Sequence, residues 1–552
     1  MQAMATTFSA HSDSAARPPA GHRFDHKIHP AGRWVFLAIL LGGLAYAGLS
    51  IFVDTAQVGE SMAMGVFLFL GLALVIALGF EFVNGFHDTA NAVATVIYTN
   101  SMPAPLAVMW SGGWNFLGVM FSSGAVAYSI ITLLPVDLIL HVGSNAGFAM
   151  IFALLFAAVI WNLATWFVGL PNSSSHALIG SILGVGLANQ LLSAGKGGTS
   201  GVDWSQATKI LTGLWMAPLI GFFAAMLLLF VMKRVLRNPK LYREPEANAP
   251  PPRGIRALLI FTCTAVSFAH GGNDGQKGMG LIMLILIGCA PTAYALNRTM
   301  PQSATPAFIA SATAAGNAFA AHYDAPTGDV ASARSVLTTA LQTGKAGSPE
   351  VFGAVETLSR DVSVRIGGYG SLGNVPAAAT PNLRNDMYLV LDTTRLVTKD
   401  KSATRSFSAA ELKAVSDYQA QLEQGTRYIP LWVKISVALA LGLGTMVGWK
   451  RIVITVGERI GKTHLTYGMG ASAELVAAGT ILLAERFGLP VSTTHILTSG
   501  VAGASVANGA GLQPKTIVSM ALAWVMTLPA AMALSGGLYW LLLTLLGVFG
   551  AK

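Results

Sequence analysis

Gly79-Phe80-Glu81-Phe82-Val83-Asn84-Gly85-Phe86-His87-Asp88-Thr89-Ala90-Asn91-Ala92 follows an apolar run, Val66 to Leu78, and leads into another, Val93 to Tyr98. Glu81, His87 and Asp88 therefore sit where a membrane helix is expected. Ionisable groups at that depth are costly and by default mark a functional site. Gly85 beside His87 and Asp88 predicts a helix broken there, an arrangement tolerated where the break lines a cavity or is covered by protein. The competing reading is a plain cap, with Asp88 starting a new helix at a membrane edge.

A second copy shifts the balance. Phe268-Ala269-His270-Gly271-Gly272-Asn273-Asp274-Gly275-Gln276-Lys277-Gly278-Met279-Gly280 also lies between apolar runs. Asp88 aligns with Asp274, His87 with Asn273, Gly85 with Gly271 and Asn91 with Lys277. Two interrupted, charged helices at matching places point to the binding site of a transporter.

Composition agrees. The chain has 552 residues, 53% hydrophobic, 11% charged, with 60 glycines. A soluble domain carries about 25% charged residues, so this is an all-α polytopic membrane protein. Cys263 and Cys289 lie in apolar runs and give neither metal-ligand spacing nor a disulfide framework. The +9 charge is concentrated in loops, so it reports topology and not nucleic-acid binding.

In order, 1–32 reads as a polar cytoplasmic tail and 33–61 as an extra N-terminal transmembrane helix, too long for a signal-peptide core. The first repeat is 62–232, with apolar stretches 62–98, 106–134, 148–170, a Gly-rich helix ending at Leu192, and 210–232. A basic cytoplasmic linker, 233–254, separates it from the second repeat, 255–552. That repeat has stretches 255–293, 431–448, 467–483, a helix to Ala507, and 517–549, which Pro529 leaves open as one span or two. A polar insertion, 297–427, interrupts it, with helical pattern around Ser408 to Gln424. The count is about 11–12 transmembrane helices.

Each repeat carries a second motif. Pro171-Asn172-Ser173-Ser174-Ser175-His176 matches Pro490-Val491-Ser492-Thr493-Thr494-His495. Proline followed by hydroxyl residues is a helix-start signal. Asp88 precedes Ser173 by 85 positions and Asp274 precedes Ser492 by 218; the excess is close to the length of the insertion. Placing the basic loops 233–256 and 450–466 inside makes the first charged helix run inward and the second outward. That is an inverted-topology repeat, with the substrate near the midplane at the repeat interface.

Hydroxyls at a helix start, with the outward N–H groups and the dipole, form an anion site whose common guest is phosphate. Ser173, Ser174, Ser175, Ser492, Thr493 and Thr494 are the candidate ligands, with ordinary N-capping as the competing reading. Asp88 and Asp274 would repel bare phosphate unless a cation, a proton or a donor network lies between. His87, His176 and His495 are of the one residue type that can titrate near neutral pH, although lone histidines are more often structural. Lys277, at i+3 from Asp274, neutralises it or marks a coupling site. Glu81 and Glu474 are buried relay acids or protonated structural ones. Adjacent Ser175-His176 and Thr494-His495 diverge by about 100° on a helix, which argues against a hydrolase dyad and against an enzyme.

On these four motifs the chain resembles the Pit-type inorganic phosphate transporters, whose signature is a Gly-x-Asn-Asp-x-x-Asn-Ala sequence followed later by Pro-x-Ser-x-x-His. His87 replaces the first Asn in one copy and Lys277 the second Asn in the other. Those departures are similar to the bacterial low-affinity phosphate transporters. The resemblance implies phosphate import by alternating access, with Asp88, Asn91, Asn273, Asp274 and the six hydroxyl residues binding substrate. It implies no resident cofactor. It implies instead a divalent cation such as magnesium travelling with phosphate, with Asp88 and Asp274 as its ligands. His87 and Lys277 favour protons over sodium, with His87, Asp88, Asp274, Lys277, Glu81, Glu474, His176 and His495 as coupling residues. Asp88, with only His87 beside it, is expected to be the freer, proton-exchanging acid. The expected setting is a bacterial inner membrane, the expected assembly a homodimer. Sodium-coupled phosphate transport and sulfate transport are the alternatives.

Topology is testable from sequence alone. Single cysteines placed in 233–256 should react only once the cytoplasmic side is opened, and cysteines in 297–427 from outside; labelling of both from one side breaks the inverted-repeat reading.

Overall fold

The structure, a computed structural model, describes residues 30–59, 64–131, 133, 145–192, 202, 204–246, 249–323 and 328–548. Most of the expected tail lies outside the described residues, as do the side chains of 89–91 and with them the expected ligand Asn91.

The membrane part of the first repeat comprises α2 (Met64–Tyr98), α3 (Ala104–Phe121), α4 (Ala125–Ile131), α5 (Asn145–Val168), α6 (Ser174–Leu192) and α7 (Trp204–Val235), preceded by α1 (Pro30–Gln57). The second repeat opens with α8 (Arg253–Cys289). Five helices then fill the insertion: α9 (Thr305–Ala320), α10 (Val330–Thr343), α11 (Pro349–Tyr369), α12 (Thr380–Lys399) and α13 (Ala409–Thr426). The repeat ends with α14 (Leu431–Thr445), α15 (Tyr467–Arg486), α16 (Thr493–Asn508) and α17 (Pro514–Val548). Among the described residues eight helices are long and apolar enough to cross a membrane, ten if two bent pairs each count as one. With α16, only 16 residues long, these are the eleven stretches read from the sequence. Large apolar side chains such as Phe52, Phe223, Leu227 and Leu522 are exposed on α1, α7 and α17, a continuous apolar exterior that suits lipid and not water.

The two charged helices are not broken. α2 and α8 run through Gly85 and Gly271 without interruption, for 35 and 37 residues. The glycines serve close packing. A Cβ on Gly85 would lie 2.3 Å from Leu441 O of α14, and one on Gly271 would lie 2.1 Å from Asn115 O of α3. The bends fall elsewhere: 74° between α3 and α4, where 106–134 had read as one stretch, and 71° between α13 and α14. Gly124, at φ 86°, takes the left-handed conformation that the first bend requires. α17 continues through Pro529 as one helix.

The repeats interlock. α8 packs on α3, and its counterpart α2 packs on α14; α7 lies on α15 and α16, while α17 lies on α5 and α6. Three contacts join a residue to its own counterpart, as a two-fold relation requires at its axis. Gly112 and Gly442 abut reciprocally, since a Cβ on either would meet the other's carbonyl oxygen at 2.8 and 3.0 Å. Asn115 Nδ2 donates to Thr445 Oγ1 at 3.2 Å. The His176 and His495 rings stand 4.6 Å apart.

The insertion is a helical unit around its own core, including Phe308, Phe319, Leu358, Tyr418 and Leu422. Its entry and exit are side by side, since Asn297 N donates to Gly425 O at 2.8 Å. The helix expected around Ser408 to Gln424 is α13. It starts with a reciprocal capping box between Ser408 and Glu411, and the Ser408 backbone N–H holds the Glu411 carboxyl below its ordinary range.

Gly271→Val forces a branched side chain against the α3 backbone, a clash of the overpacking kind that costs about 1–3 kcal/mol or more. The variant is expected to melt well below wild type in detergent; an unchanged melting temperature would contradict the close approach.

Candidate functional site

α6 and α16 begin where the sequence motifs lie, and the first hydroxyl of each motif is an N-cap. Ser173 Oγ accepts from His176 N, and Ser492 Oγ accepts from His495 N, each at 3.1 Å. For these two residues the plain capping reading describes the geometry. Capping leaves the earlier N–H groups of each first turn free of intrahelical partners, so the helix starts keep their anion-binding character.

The third hydroxyls reach across to the other repeat. Thr494, from the second repeat, donates to Asp88 Oδ1 of the first. Ser175, from the first, accepts from the Lys277 ammonium of the second and donates to Val491 O at 2.7 Å. Each charged helix is thus tied to the opposite repeat's helix start. Ser174 donates to Asp88 Oδ2 at 3.2 Å. The Thr493 hydroxyl is buried with no hydrogen-bond partner. Asn273 does not point at the acids: its amide donates to Leu489 O at 3.1 Å and its carbonyl accepts from Val491 N at 3.4 Å, bracing the turn before α16.

Asp88 and Asp274 come together although they are far apart in sequence. His270, which the sequence reading did not select, lies between them. Its Nε2 is 3.8 Å from Asp88 Oδ2 and 3.5 Å from Asp274 Oδ2. Its other nitrogen meets Asn115 Oδ1 at 2.9 Å, which fixes the ring. His270 precedes Asp274 by four residues, one helical turn, and that spacing was the signal that could have found it. Lys277 Nζ is 2.7 Å from Asp274 Oδ1. All of these groups are buried, and a buried ion pair holds only when both partners are present.

His87 Nδ1 is 3.3 Å from Asp88 Oδ1. With two hydroxyls donating and two histidines beside it, Asp88 is the best furnished acid of the site. Its expected role as the freer acid rested on His87 as sole neighbour, and the geometry removes that basis. His176 Nδ1 faces Ser173 Oγ at 2.8 Å, and the His495 ring stacks on Trp524 at 4.3 Å. Both histidines brace the paired helix starts.

Glu81 and Glu474 are both buried; Glu81 feels the charges of Asp274, Lys277 and His270, while Glu474 lies away from these contacts. Glu81 accepts from Asn84 Nδ2 at 3.4 Å and lies against Gly278 of α8. Glu474 meets Thr262 Oγ1 at 2.5 Å. The structure brings Asp88, Asp274, Lys277, Ser174, Ser175 and Thr494 into one cluster, with Glu81 at its edge, and leaves Glu474 outside it.

The family model described as the phosphate transporter family matches residues 84–535. The chain belongs to that family. It is 42% identical to the low-affinity inorganic phosphate transporter PitA of Escherichia coli (strain K12) over 506 residues, covering 87% of this chain and 99% of the relative. It is 40% identical to PitB of the same organism over 505 residues, covering 88% and 100%. A solved sodium-dependent phosphate transporter covers 86% of this chain and 99% of its own, at 21% identity and a TM-score of 0.46. The matched range takes in both acid motifs and both hydroxyl motifs. Family members are named as transporters, which sets the hydrolase reading aside.

Removing one hydrogen bond to a charged group costs roughly 1.5–3 kcal/mol. Ser175→Ala and Thr494→Ala are each expected to weaken substrate binding by about tenfold or more, read by isothermal titration or protection against thermal unfolding. Wild-type affinity in both folded variants rejects the assignment.

Proposed function

We propose that this family member imports inorganic phosphate across a bacterial inner membrane by alternating access, as a neutral divalent metal–phosphate complex with proton symport. The observation that carries this reading is the placement of Asp88, His270 and Asp274. Each offers one ligand atom, and these atoms lie within 4.8 Å of one another, where the two hydroxyl helix starts converge.

That arrangement reconciles an anion site with two carboxylates. A divalent cation among the three residues offsets the acids. The phosphate oxygens then meet the Ser175, Thr493 and Thr494 hydroxyls and the N–H groups at the starts of α6 and α16. Lys277 supplies a fixed positive charge beside them. Asp88 and Asp274 are oxygen donors of the kind magnesium takes, while the His270 nitrogen adds a donor suited to zinc-class ions. The interlocked repeats supply two halves that can rock about the site.

Protons are favoured over sodium because the Lys277 ammonium already stands 2.7 Å from Asp274, in the place a sodium ion would take beside that carboxylate. A neutral cargo gives no net charge movement of its own, so accumulation has to draw on the co-transported proton.

The test is radiolabelled phosphate uptake into liposomes holding the purified protein, with proton and sodium gradients imposed separately, and magnesium, zinc or a chelator added. Uptake driven by protons, dependent on divalent metal and resistant to sulfate competition is expected. Sodium-driven uptake, or uptake indifferent to chelation, contradicts the coupling or the cargo respectively. Asp274→Asn is expected to abolish both binding and exchange, because it strands a buried ammonium at a cost of about 3–5 kcal/mol.

A further inference from the structure

The helices that lead into the two hydroxyl motifs end in the same backbone device. α5 and α15 stop at counterpart glycines, Gly169 and Gly488, which stand just ahead of Pro171 and Pro490. Both glycines take the left-handed conformation, at φ 75° and 63°. Gly169 N donates to Trp166 O at 2.9 Å and Leu170 N to Thr165 O at 3.0 Å. Gly488 N donates to Glu485 O and Leu489 N to Ala484 O, each at 2.9 Å. This is the Schellman ending of a helix, made twice. In each copy the glycine carbonyl accepts a hydroxyl hydrogen from the opposite repeat. Ser129 Oγ of α4 donates to Gly488 O at 2.5 Å. Thr455 Oγ1 donates to Gly169 O at 3.0 Å, which is nearer than Arg451 O of its own turn at 3.4 Å.

The two hydroxyls stand at opposite ends of the bundle. Ser129 follows Tyr128, whose ring lies 5.3 Å from the Arg427 guanidinium at the exit of the insertion. Thr455 follows the short helix Lys450–Ile454, within the basic loop 450–466. Each contact is also tied to one acid-bearing helix. At the insertion end Gln276 of α8, in the turn after Asp274, donates to Glu485 Oε1 at 3.0 Å and accepts from Val126 N of α4 at 2.9 Å. Glu485 also accepts from Ser123 N at 3.3 Å. At the basic-loop end Phe86 of α2, in the turn before Asp88, packs on Trp166 with ring centroids 5.1 Å apart. Trp166 Nε1 donates to Gly448 O at 2.9 Å, and Arg451 donates to Phe167 O. A shift of α8 is therefore felt at one tip, and a shift of α2 at the other.

We propose that Ser129 and Thr455 are paired positioning residues for transport, each clasping one hairpin tip and so closing one side of the substrate pathway. The inference rests on the alternating-access reading above. With both clasps made, the structure is the state closed at both ends. Release of Gly488 from Ser129 frees the α15–α16 tip from α4 and opens the insertion end. Release of Gly169 from Thr455 frees the α5–α6 tip and opens the basic-loop end. Thr494 and Ser175 lie just past these tips and hold Asp88 and Lys277 of the opposite repeat. A tip that moves therefore carries substrate ligands with it, which links each clasp to the binding site.

Leu489 and Leu170, the counterpart residues beside the two glycines, are half-buried and can report on each clasp. Leu489→Cys and Leu170→Cys are introduced singly into the full chain, with Cys263 and Cys289 replaced by alanine, and labelled in liposomes with an impermeant maleimide supplied from each side. Ser129→Ala should raise labelling of Leu489→Cys from the insertion side and lower that of Leu170→Cys from the basic-loop side, by about two- to tenfold, the bias that one such hydrogen bond exerts. Thr455→Ala should do the reverse. Ser129→Thr and Thr455→Ser, which keep the hydroxyl, should restore the wild-type pattern. Opposite shifts are what a merely structural role would not produce. Labelling unchanged in both alanine variants, or raised at both reporters together, overturns the proposal and leaves the alternating-access reading standing. If both reporters in the otherwise wild-type chain label from one side alone, that reading falls too.

Discussion

Two carboxylates placed inside an apolar bundle are the constraint on which this molecule is built. Neither Asp88 nor Asp274 is tolerable there alone; Asp88 is satisfied by atoms from both repeats, and Asp274 is tied to the opposite repeat through its lysine partner. Asp88 accepts from Ser174 and Thr494. Asp274 pairs with Lys277, whose ammonium donates in turn to Ser175. The repeats therefore cannot separate without stranding buried charge, a far larger cost than losing apolar contact between helices already surrounded by lipid. That explains why the helices of one repeat pack on those of the other more than on their own.

The same constraint gives the site its asymmetry. The repeats are alike in backbone and in hydroxyl motif, yet one carries a lysine where the other carries an asparagine. His270 adjoins both acids, while His87 adjoins only one. A two-fold scaffold thus holds an unsymmetrical set of charges, which suits the proposed metal–phosphate cargo. Glu81 adjoins that set, while Glu474 lies apart from it beside Thr262 of α8. The insertion, with its own core and adjacent ends, leaves the interlocked membrane helices undisturbed.

Much of this was legible in the sequence because the bilayer leaves few options. Apolar length set the helices, hydroxyls after proline set the starts of α6 and α16, and the duplicated motifs set the repeat and the family. The sequence also named most of the side chains that meet at the site, since ionisable residues inside apolar runs are rare. It misjudged the glycines. Gly85 and Gly271 read as helix breaks, because glycine weakens a helix locally; only the neighbouring carbonyls of Leu441 and Asn115 show that they are there to admit another backbone. The partners of each charge were likewise a tertiary matter. Nothing local places Thr494 on Asp88, Ser175 on Lys277 or His270 between two acids, because those contacts exist only once the two repeats fold into each other.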